Sequence, residues 1–345
     1  MFQQNIVYFI GAGFSAPFGI PVMGNFIDKA RDLYFTDTVK FQELKSTLNL
    51  INKYSVVKSI MNINLYNIED LLSLLAMETY TKERKDSRSL NKLKNFIEIV
   101  INYYTPDFEH NELINFVNQL ANIKIKKITT QWGFNGDHKV YPRVFDGKKF
   151  ENIDFGIISL NYDLLLENTL KFIKDNFINK NEIANVNSDV HTHYKFGKEI
   201  DTETIPYAKL HGSLDTDIIP PTWDKTSNKI VMKDWILASQ LLTNATHLIF
   251  LGYSLPQTDN YVKYLLAGSL NKNDRLKRIS VITLDNDGST EERYRNLFGD
   301  FRSFNFHNLK LDHFFDFIKK YNAIPEDGSF DFDFFDDNFK EIKDN

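Results

Sequence analysis

Apolar residues along this chain fall into two rhythms, and their order is the first clue to its architecture. Asn5-Ile6-Val7-Tyr8-Phe9-Ile10 is a short continuous run of strand length, the kind that fills a sheet covered on both faces. It ends at Gly11-Ala12-Gly13, and the pattern predicts a helix directly beyond the glycines. From about Met23 to Leu120 the spacing is helical. Residues 67–77 carry a long apolar face, residues 90–104 repeat apolar positions at helical intervals, Pro106 breaks the run and 111–121 resumes it. This reads as a helical module inserted after the first strand–helix unit. Residues 124–150, with Trp132-Gly133-Phe134-Asn135-Gly136 and Pro142, predict turns or a hairpin.

Sheet character then returns at intervals. Strands are predicted at 155–160, 207–210, 247–251 and 279–284, and helices at 164–173, 231–242, 260–270 and 291–298, the last ending at Gly299. Such alternation implies an α/β fold, a doubly wound parallel sheet with helices on both faces. The chain divides into a sheet domain (1–22 and 151–322), the inserted mainly helical module (23–150) and an acidic aromatic tail (323–345). In the tail, acid and aromatic residues alternate over 330–335, which predicts either a disordered end or a docking segment.

Composition narrows the function classes. With 42% hydrophobic and 25% charged residues the chain is an ordinary globular protein. A net charge of −5 argues against nucleic acid as the main partner, and the basic residues between Lys124 and Lys149 read as a solvated face. The absence of cysteine removes disulfides, thiolate zinc sites, iron–sulfur clusters and Cys nucleophiles. No apolar run reaches the ~18 residues that span a bilayer, and the first run is too short for a signal core, so a cytoplasmic protein is expected. His191 and His193 have no acidic cluster beside them, and no metal is expected.

Polar residues gather where the predicted strands end, and in an open parallel sheet ligands bind beyond those ends. After the first strand stands Gly11-Ala12-Gly13-Phe14-Ser15, followed by Gly19-Ile20-Pro21. Glycines let the backbone approach a pyrophosphate, and a following helix offers N–H groups. A standard dehydrogenase is disfavoured, because Asp28 and Asp32 fall in a predicted helix rather than at the end of a second strand. The next strand ends in Ser159-Leu160-Asn161-Tyr162-Asp163, where Asn161 or Asp163 either faces a ligand or caps the next helix. His211-Gly212 ends the third strand, as a structural histidine or one beside a docking site. Gly252-Tyr253-Ser254, with Pro256 and Asp259, follows the fourth. Asp285-Asn286 ends the fifth, suited to a ribose diol or to starting the turn towards Ser289. Each cluster alone has an ordinary structural explanation, but five on one edge converge on one crevice.

In this order the five clusters resemble the sirtuin family, and more closely its bacterial defence-associated branch. Gly11–Pro21 is similar to the family's phosphate loop, Ser159–Asp163 to its Thr-x-Asn-x-Asp-type motif, His211-Gly212 to its catalytic His-Gly, and Gly252-x-Ser254 to its cofactor loop. Pro220-Pro221-Thr222-Trp223-Asp224-Lys225, and residues 252–256 with Asp259, are similar to segments of the bacterial branch. Two departures point away from protein deacylation: there is no four-cysteine zinc module, and Val22-Met23-Gly24-Asn25 stands where an Asp-Phe-Arg segment is usual.

The resemblance implies a sirtuin-type, Rossmann-like domain that takes NAD as substrate and cleaves its nicotinamide–ribose bond, giving nicotinamide and ADP-ribose. On that reading Asn161 holds the nicotinamide ribose or the attacking water. His211 is the general base, suited by an unperturbed pKa of about 6.5, and Asp163 orients Asn161 or the ribose. Gly11, Ala12, Gly13, Ser15, Gly252 and Ser254 cradle the pyrophosphate, while Asp285 and Asn286 hold the adenine ribose. The resemblance further implies a homo-oligomer working with a ring-forming ATPase partner in antiphage defence by depleting NAD. An NAD-dependent deacylase or ADP-ribosyltransferase, and a non-catalytic nucleotide-sensing module, are the alternatives.

Overall fold

Strand β1 (Gln4–Ile10) is buried at every position from 6 to 10. Ile6, Tyr8 and Ile10 join one apolar cluster and Val7 and Phe9 another. Alternate residues of one strand are buried in this way only when both faces of the sheet are covered. The computed structural model describes residues 4–58, 67–81, 87–106, 113, 116–117, 123–131, 141–149, 153–176, 206–219, 229–257, 259–299, 301–320 and 331–340.

β1 pairs in parallel with β4 (Ile153–Ser159) on one side and β8 (His247–Leu251) on the other. The full sheet runs β10-β9-β8-β1-β4-β5, with β5 (Tyr207–Lys209), β9 (Arg278–Thr283) and β10 (Phe304–Asn308), and every pair is parallel. The chain winds outward from β1 through β4 to β5, crosses back, and winds outward again through β8, β9 and β10. In this doubly wound order a crevice opens where the winding reverses, beyond the carboxyl ends of the central strands.

One face of the sheet is covered by α1 (Phe26–Thr36), α2 (Gln42–Lys58), α3 (Ile68–Thr81) and α4 (Arg88–Tyr104), which share a continuous core with Leu165 and Leu166 of α5 (Leu165–Asn176). The opposite face is covered by α6 (Lys229–Asn244), α7 (Asn260–Leu270) and α8 (Ser289–Phe298). α9 (Leu311–Lys320) and α10 (Phe332–Lys340) return to the first face. In the basic segment β2 (Ile123–Gln131) and β3 (Tyr141–Lys149) pair antiparallel, with residues 132–140 outside the described residues, and β6 (Gly212–Ser213) and β7 (Asp217–Ile218) form a second antiparallel pair just after β5.

The α/β alternation follows the apolar pattern closely, with two departures. No α-helix follows β1 directly. Two 3-10 turns, Ala12–Phe14 and Ala16–Phe18, occupy that place, and α1 begins only at Phe26. Pro17 and Pro21 account for this, because each lacks the N–H that a helix interior needs. The second departure is the chain after 299, where β10, α9 and α10 extend the fold beyond the predicted elements.

Within the tail, residues 331–340 are described, and α10 docks there on its own chain. Phe332, Phe335 and Phe339 are buried, and Phe335 lies edge-on to Phe317, 5.4 Å between centroids. These rings are therefore engaged within the chain; Phe334 remains 43% exposed, and Phe330 lies outside the described residues. The clip is Asp336, which is 1% exposed. Its Oδ1 accepts from Ser280 Oγ at 3.0 Å and lies 2.9 Å from His307 Nε2, and its Oδ2 accepts from Arg278 at 3.2 Å and Asn305 at 2.7 Å. Phe332 stacks on His247, centroids 3.6 Å apart. Burial, aided by the charges of Arg278 and Lys277, pushes the His247 pKa down to about 3.

Two predictions follow from the docked tail. Removing a partner from a buried ionic cluster costs about 3–5 kcal/mol, so Asp336→Ala should lower the unfolding free energy by that order in urea titrations. Exposed Asp337→Ala should change it by less than about 0.5 kcal/mol. His247 stays neutral in the fold but protonates in the unfolded chain below about pH 6.5. Stability should therefore fall as pH drops from 6.5 towards 3, by up to about 1.4 kcal/mol per unit from this group. His247→Gln should flatten that slope.

Candidate functional site

The carboxyl edge of the sheet encloses a cavity of about 610 Å³, within the range of clefts that hold small-molecule ligands. Its floor is made where two loops meet at the reversal of the winding. Gly11 N–H donates to Leu251 O at 3.0 Å and Gly13 N–H to Gly252 O at 2.9 Å, which carries the β1–β8 contact past the strand ends. A Cβ on Gly13 would lie 2.8 Å from Gly252 Cα, and one on Gly252, at φ 63°, would collide with Phe14 N. These glycines are required first by the contact between the two loops.

The loop after β8 is pinned from outside. Tyr294 Oη donates to Tyr253 O at 2.9 Å, and the Arg293 guanidinium grips Ser254 O at 3.1 and 3.2 Å. Leu255 sits at φ 49° immediately before Pro256, a conformation that costs a leucine of order 1–3 kcal/mol. The surrounding bonds hold that strain.

The loop after β4 carries a buried chain of polar groups. Asn161 Nδ2 donates to Gly11 O and to Ser15 Oγ, both at 3.1 Å, and Ser15 Oγ donates to Asp163 Oδ2 at 2.8 Å. Asp163 Oδ1 also accepts Leu165 N–H at 3.1 Å. Asp163 thus caps α5 and holds Ser15 at once, so the helix-capping and ligand-facing alternatives are both available to one carboxylate.

Lys209, 1% exposed, reaches back beneath this loop. Its ammonium donates to Asp163 O at 2.5 Å, Glu167 Oε1 at 2.7 Å and Ser213 Oγ at 2.9 Å. It therefore ties the Asn161–Asp163 loop to the turn that follows His211. The sequence signal was a lysine in an otherwise apolar strand, Tyr207-Ala208-Lys209-Leu210.

His211 is 1% exposed and lines the cavity. Its backbone carbonyl accepts Ile219 N–H at 2.9 Å, and Trp235 Nε1–H donates to Leu210 O at 3.1 Å, fixing the chain on either side. The Tyr162 ring lies 6.3 Å from the imidazole, and Asp259 Oδ2 lies 3.6 Å from Nε2. Burial, reinforced by the negative charges of Glu69 and Asp259, holds the Tyr162 phenol well above its ordinary pKa. Burial and the Asp259 carboxylate do the same for Tyr253, whose hydroxyl donates to Asp259 Oδ2 at 3.1 Å. Both tyrosines are therefore neutral hydroxyl groups in a region of negative potential.

Gly11, Ala12, Gly13, Ser15, Asn161, Asp163, His211, Gly252 and Ser254 all line this cavity. Asp285 and Asn286 are not among its lining residues. Asp285 spends its carboxylate on Gly288 N–H (3.1 Å) and Glu291 N–H (2.9 Å), starting the turn into α8, and Asn286 is exposed. Thr283 and Leu284 of the same segment reach the cavity instead. Sequence reasoning did not foresee the opposite wall, where Phe26, Ile68, Ile97 and Ile101 from α1, α3 and α4 stand with Glu69. Nor did it foresee Lys310 at the rim. Their apolar spacing marked these helices as packed but carried no sign of what they face. His191, His193 and residues 220–225 lie outside the described residues. Among the described residues no group of three or more His, Asp or Glu is placed to hold a metal ion.

The loop contact predicts opposite outcomes for two glycines. Gly252→Ala forces a Cβ into backbone at positive φ and should lower the melting temperature. Gly268→Ala, in the α7 interior with open space around it, should stabilise by about 0.5–1 kcal/mol. Calorimetry of both variants tests this.

Several comparisons bear on this geometry. No curated protein matches the sequence. Similar solved structures include one from work on sirtuin substrate affinity, 11% identical over 92% of this chain and 94% of that chain, TM-score 0.35. Another is Sir2Tm bound to a propionylated peptide, 11% identical over 94% of this chain and 95% of that chain, TM-score 0.33. TM-scores of this size leave the functional reading to the site itself. Residues 156–303, which run from within β4 past α8 and contain Asn161, Asp163, His211 and the loop after β8, match the family model of the SIR2-like domain.

Proposed function

We propose that this cavity binds NAD and cleaves its nicotinamide–ribose bond with water, releasing nicotinamide and ADP-ribose. The observation that carries the reading is the convergence of Asn161, Asp163 and His211 with the two glycine loops on one cavity at the winding reversal. The SIR2-like match over 156–303 supports it.

The chemistry suits the residues. Both amide hydrogens of Asn161 are spent on Gly11 O and Ser15 Oγ, so its carbonyl oxygen is the group it offers to a ribose hydroxyl or a water. Ser15 and Asp163 fix that orientation. Imidazole accepts a proton near neutral pH, and in this reading His211, which lines the cavity, takes the proton that the water attacking the ribose loses. The leaving nicotinamide departs neutral from a cationic precursor, so the negative potential around Tyr162 and Tyr253 favours the bound cation. The apolar wall from α1, α3 and α4 gives the cavity a largely non-polar lining on that side. Ala12, Gly13, Ser254 and Lys310 line the remainder, where the phosphates would lie.

The antiphage setting, the homo-oligomer and a ring-forming ATPase partner belong to the same proposal and rest on resemblance alone. Cellular NAD followed before and after infection, with and without the neighbouring gene product, tests them.

The biochemical test is incubation with NAD and no acceptor. Nicotinamide and ADP-ribose should accumulate, and His211→Ala and Asn161→Ala should each cut the rate by about 10²–10⁴-fold, the worth of a general base or its equivalent, in protein that still folds, with a lower melting temperature for Asn161→Ala because Gly11 O and Ser15 Oγ lose a buried donor. Product formed only with an acylated peptide or an acceptor would mark a deacylase or transferase instead. Binding without turnover would mark a sensing module.

A further inference from the structure

Asp259 occupies the N-cap position of α7, where an aspartate ordinarily accepts a backbone N–H from the first turn of its helix. Here it makes no such bond. Its carboxylate turns inward, 2% exposed, accepts the Tyr253 hydroxyl at 3.1 Å, and brings Oδ2 to 3.6 Å from His211 Nε2. A helix thus forgoes its cap so that a buried negative charge can face a buried imidazole. A local rule broken in this way marks a functional position, and the strained Leu255 between Ser254 and Pro256 lies in the same loop.

We infer that Asp259 is the positioning residue for His211, holding the proton on Nε2, leaving Nδ1 as the base, and stabilising the imidazolium that forms. This rests on the reading of the cavity as a site of NAD cleavage. In the step concerned, a water oxygen bonds to the ribose anomeric carbon. The carbon–nitrogen bond to the pyridinium breaks, its electron pair passing to the ring to give neutral nicotinamide, and the proton lost by the water goes to His211. The 3.6 Å separation is the loose form of such a pair, which tightens as the imidazole gains charge. Tyr253 fixes the carboxylate, as the carboxylate fixes the ring.

Among the described residues that line the cavity around this pair, the titratable and charged groups are Tyr162 and Asp163 from the loop after β4, Tyr253 from the loop after β8, Glu69 from α3, and Lys310 and Asp312 at the start of α9. Both tyrosines stay protonated throughout the working range, because burial raises them. The Glu69 and Asp163 carboxylates are common to the native protein and an Asp259 variant, so comparison isolates Asp259.

The experiment is Asp259→Asn in the full chain, which keeps the shape and removes the charge. Turnover at neutral pH should fall by about 10²–10⁴-fold, with KM nearly unchanged. The acid limb of the kcat–pH profile should move to lower pH, because the imidazolium has lost its counter-charge. In a His211→Ala background the same substitution should cost less than about two-fold, since the pair acts as a unit. An unmoved acid limb, or full additivity in the double variant, overturns the inference. Imidazole titration by NMR, with His211→Ala to assign the resonance, gives an answer that does not depend on turnover. A native protein that releases no nicotinamide would sink the cleavage reading. The pair would still stand if the His211 titration moved to lower pH in Asp259→Asn, and would fall if it did not.

Discussion

The site depends on one contact in which no side chain takes part. Where the winding of the sheet reverses, the backbone after β1 lies directly against the backbone after β8, with Gly11, Gly13 and Gly252 at the point of closest approach. Any Cβ there would push the loops apart, and the loops carry Ser15 on one side and Asp259 on the other. Asn161 is then hung from the first loop through Gly11 O and Ser15 Oγ. His211 faces the second through Asp259. The glycines therefore set the distance between the two halves of the polar machinery, and a phosphate-facing role would be a second use of a geometry already required by packing.

Electrostatics follows from this frame. Asp163 and Asp259 are nearly buried carboxylates that line the cavity, and Glu69 joins them from α3. The buried counter-charge is Lys209, which lies behind the Asn161–Asp163 loop rather than in the cavity lining. The lysine stabilises the scaffold while the carboxylates remain available to the contents of the cavity. Such an arrangement favours a positively charged group beside His211 and a proton acceptor that is stabilised once it becomes cationic.

Much of this was legible in the sequence because it depends on local rules. A buried parallel strand must be a short apolar run, and His247–Leu251 and Asn260–Leu270 appear with the bounds their pattern predicts. Polar clusters at strand ends had to share an edge once the sheet was parallel. Other features depend on contacts distant in sequence and left little local trace. Phe304–Asn308 alternates too briefly to announce an edge strand. In the tail, acid–aromatic alternation masks the helical spacing of Phe332, Phe335 and Phe339, whose meaning depends on the apolar face that receives them. Asp285 illustrates the converse: of two uses open to it, ribose holding or turn formation, its carboxylate is observed in the turn.

The position of the helical module constrains how the protein can be regulated. Its helices share one continuous core with β1, α9 and α10, and residues of that module also form the cavity wall. Swinging it away as a rigid lid would expose Leu71, Leu72, Phe96, Ile97 and Val100, all buried. At roughly 1.5–3 kcal/mol for each large apolar side chain, that cost is comparable to the whole stability of a domain. The module is therefore packed as one body with the sheet, and it meets the cavity through Ile68, Glu69, Ile97 and Ile101. The tail is similarly committed, because Asp336 and three phenylalanines fasten it across β9 and β10. Detaching α10 would likewise strip Asp336 from its partners on β9 and β10.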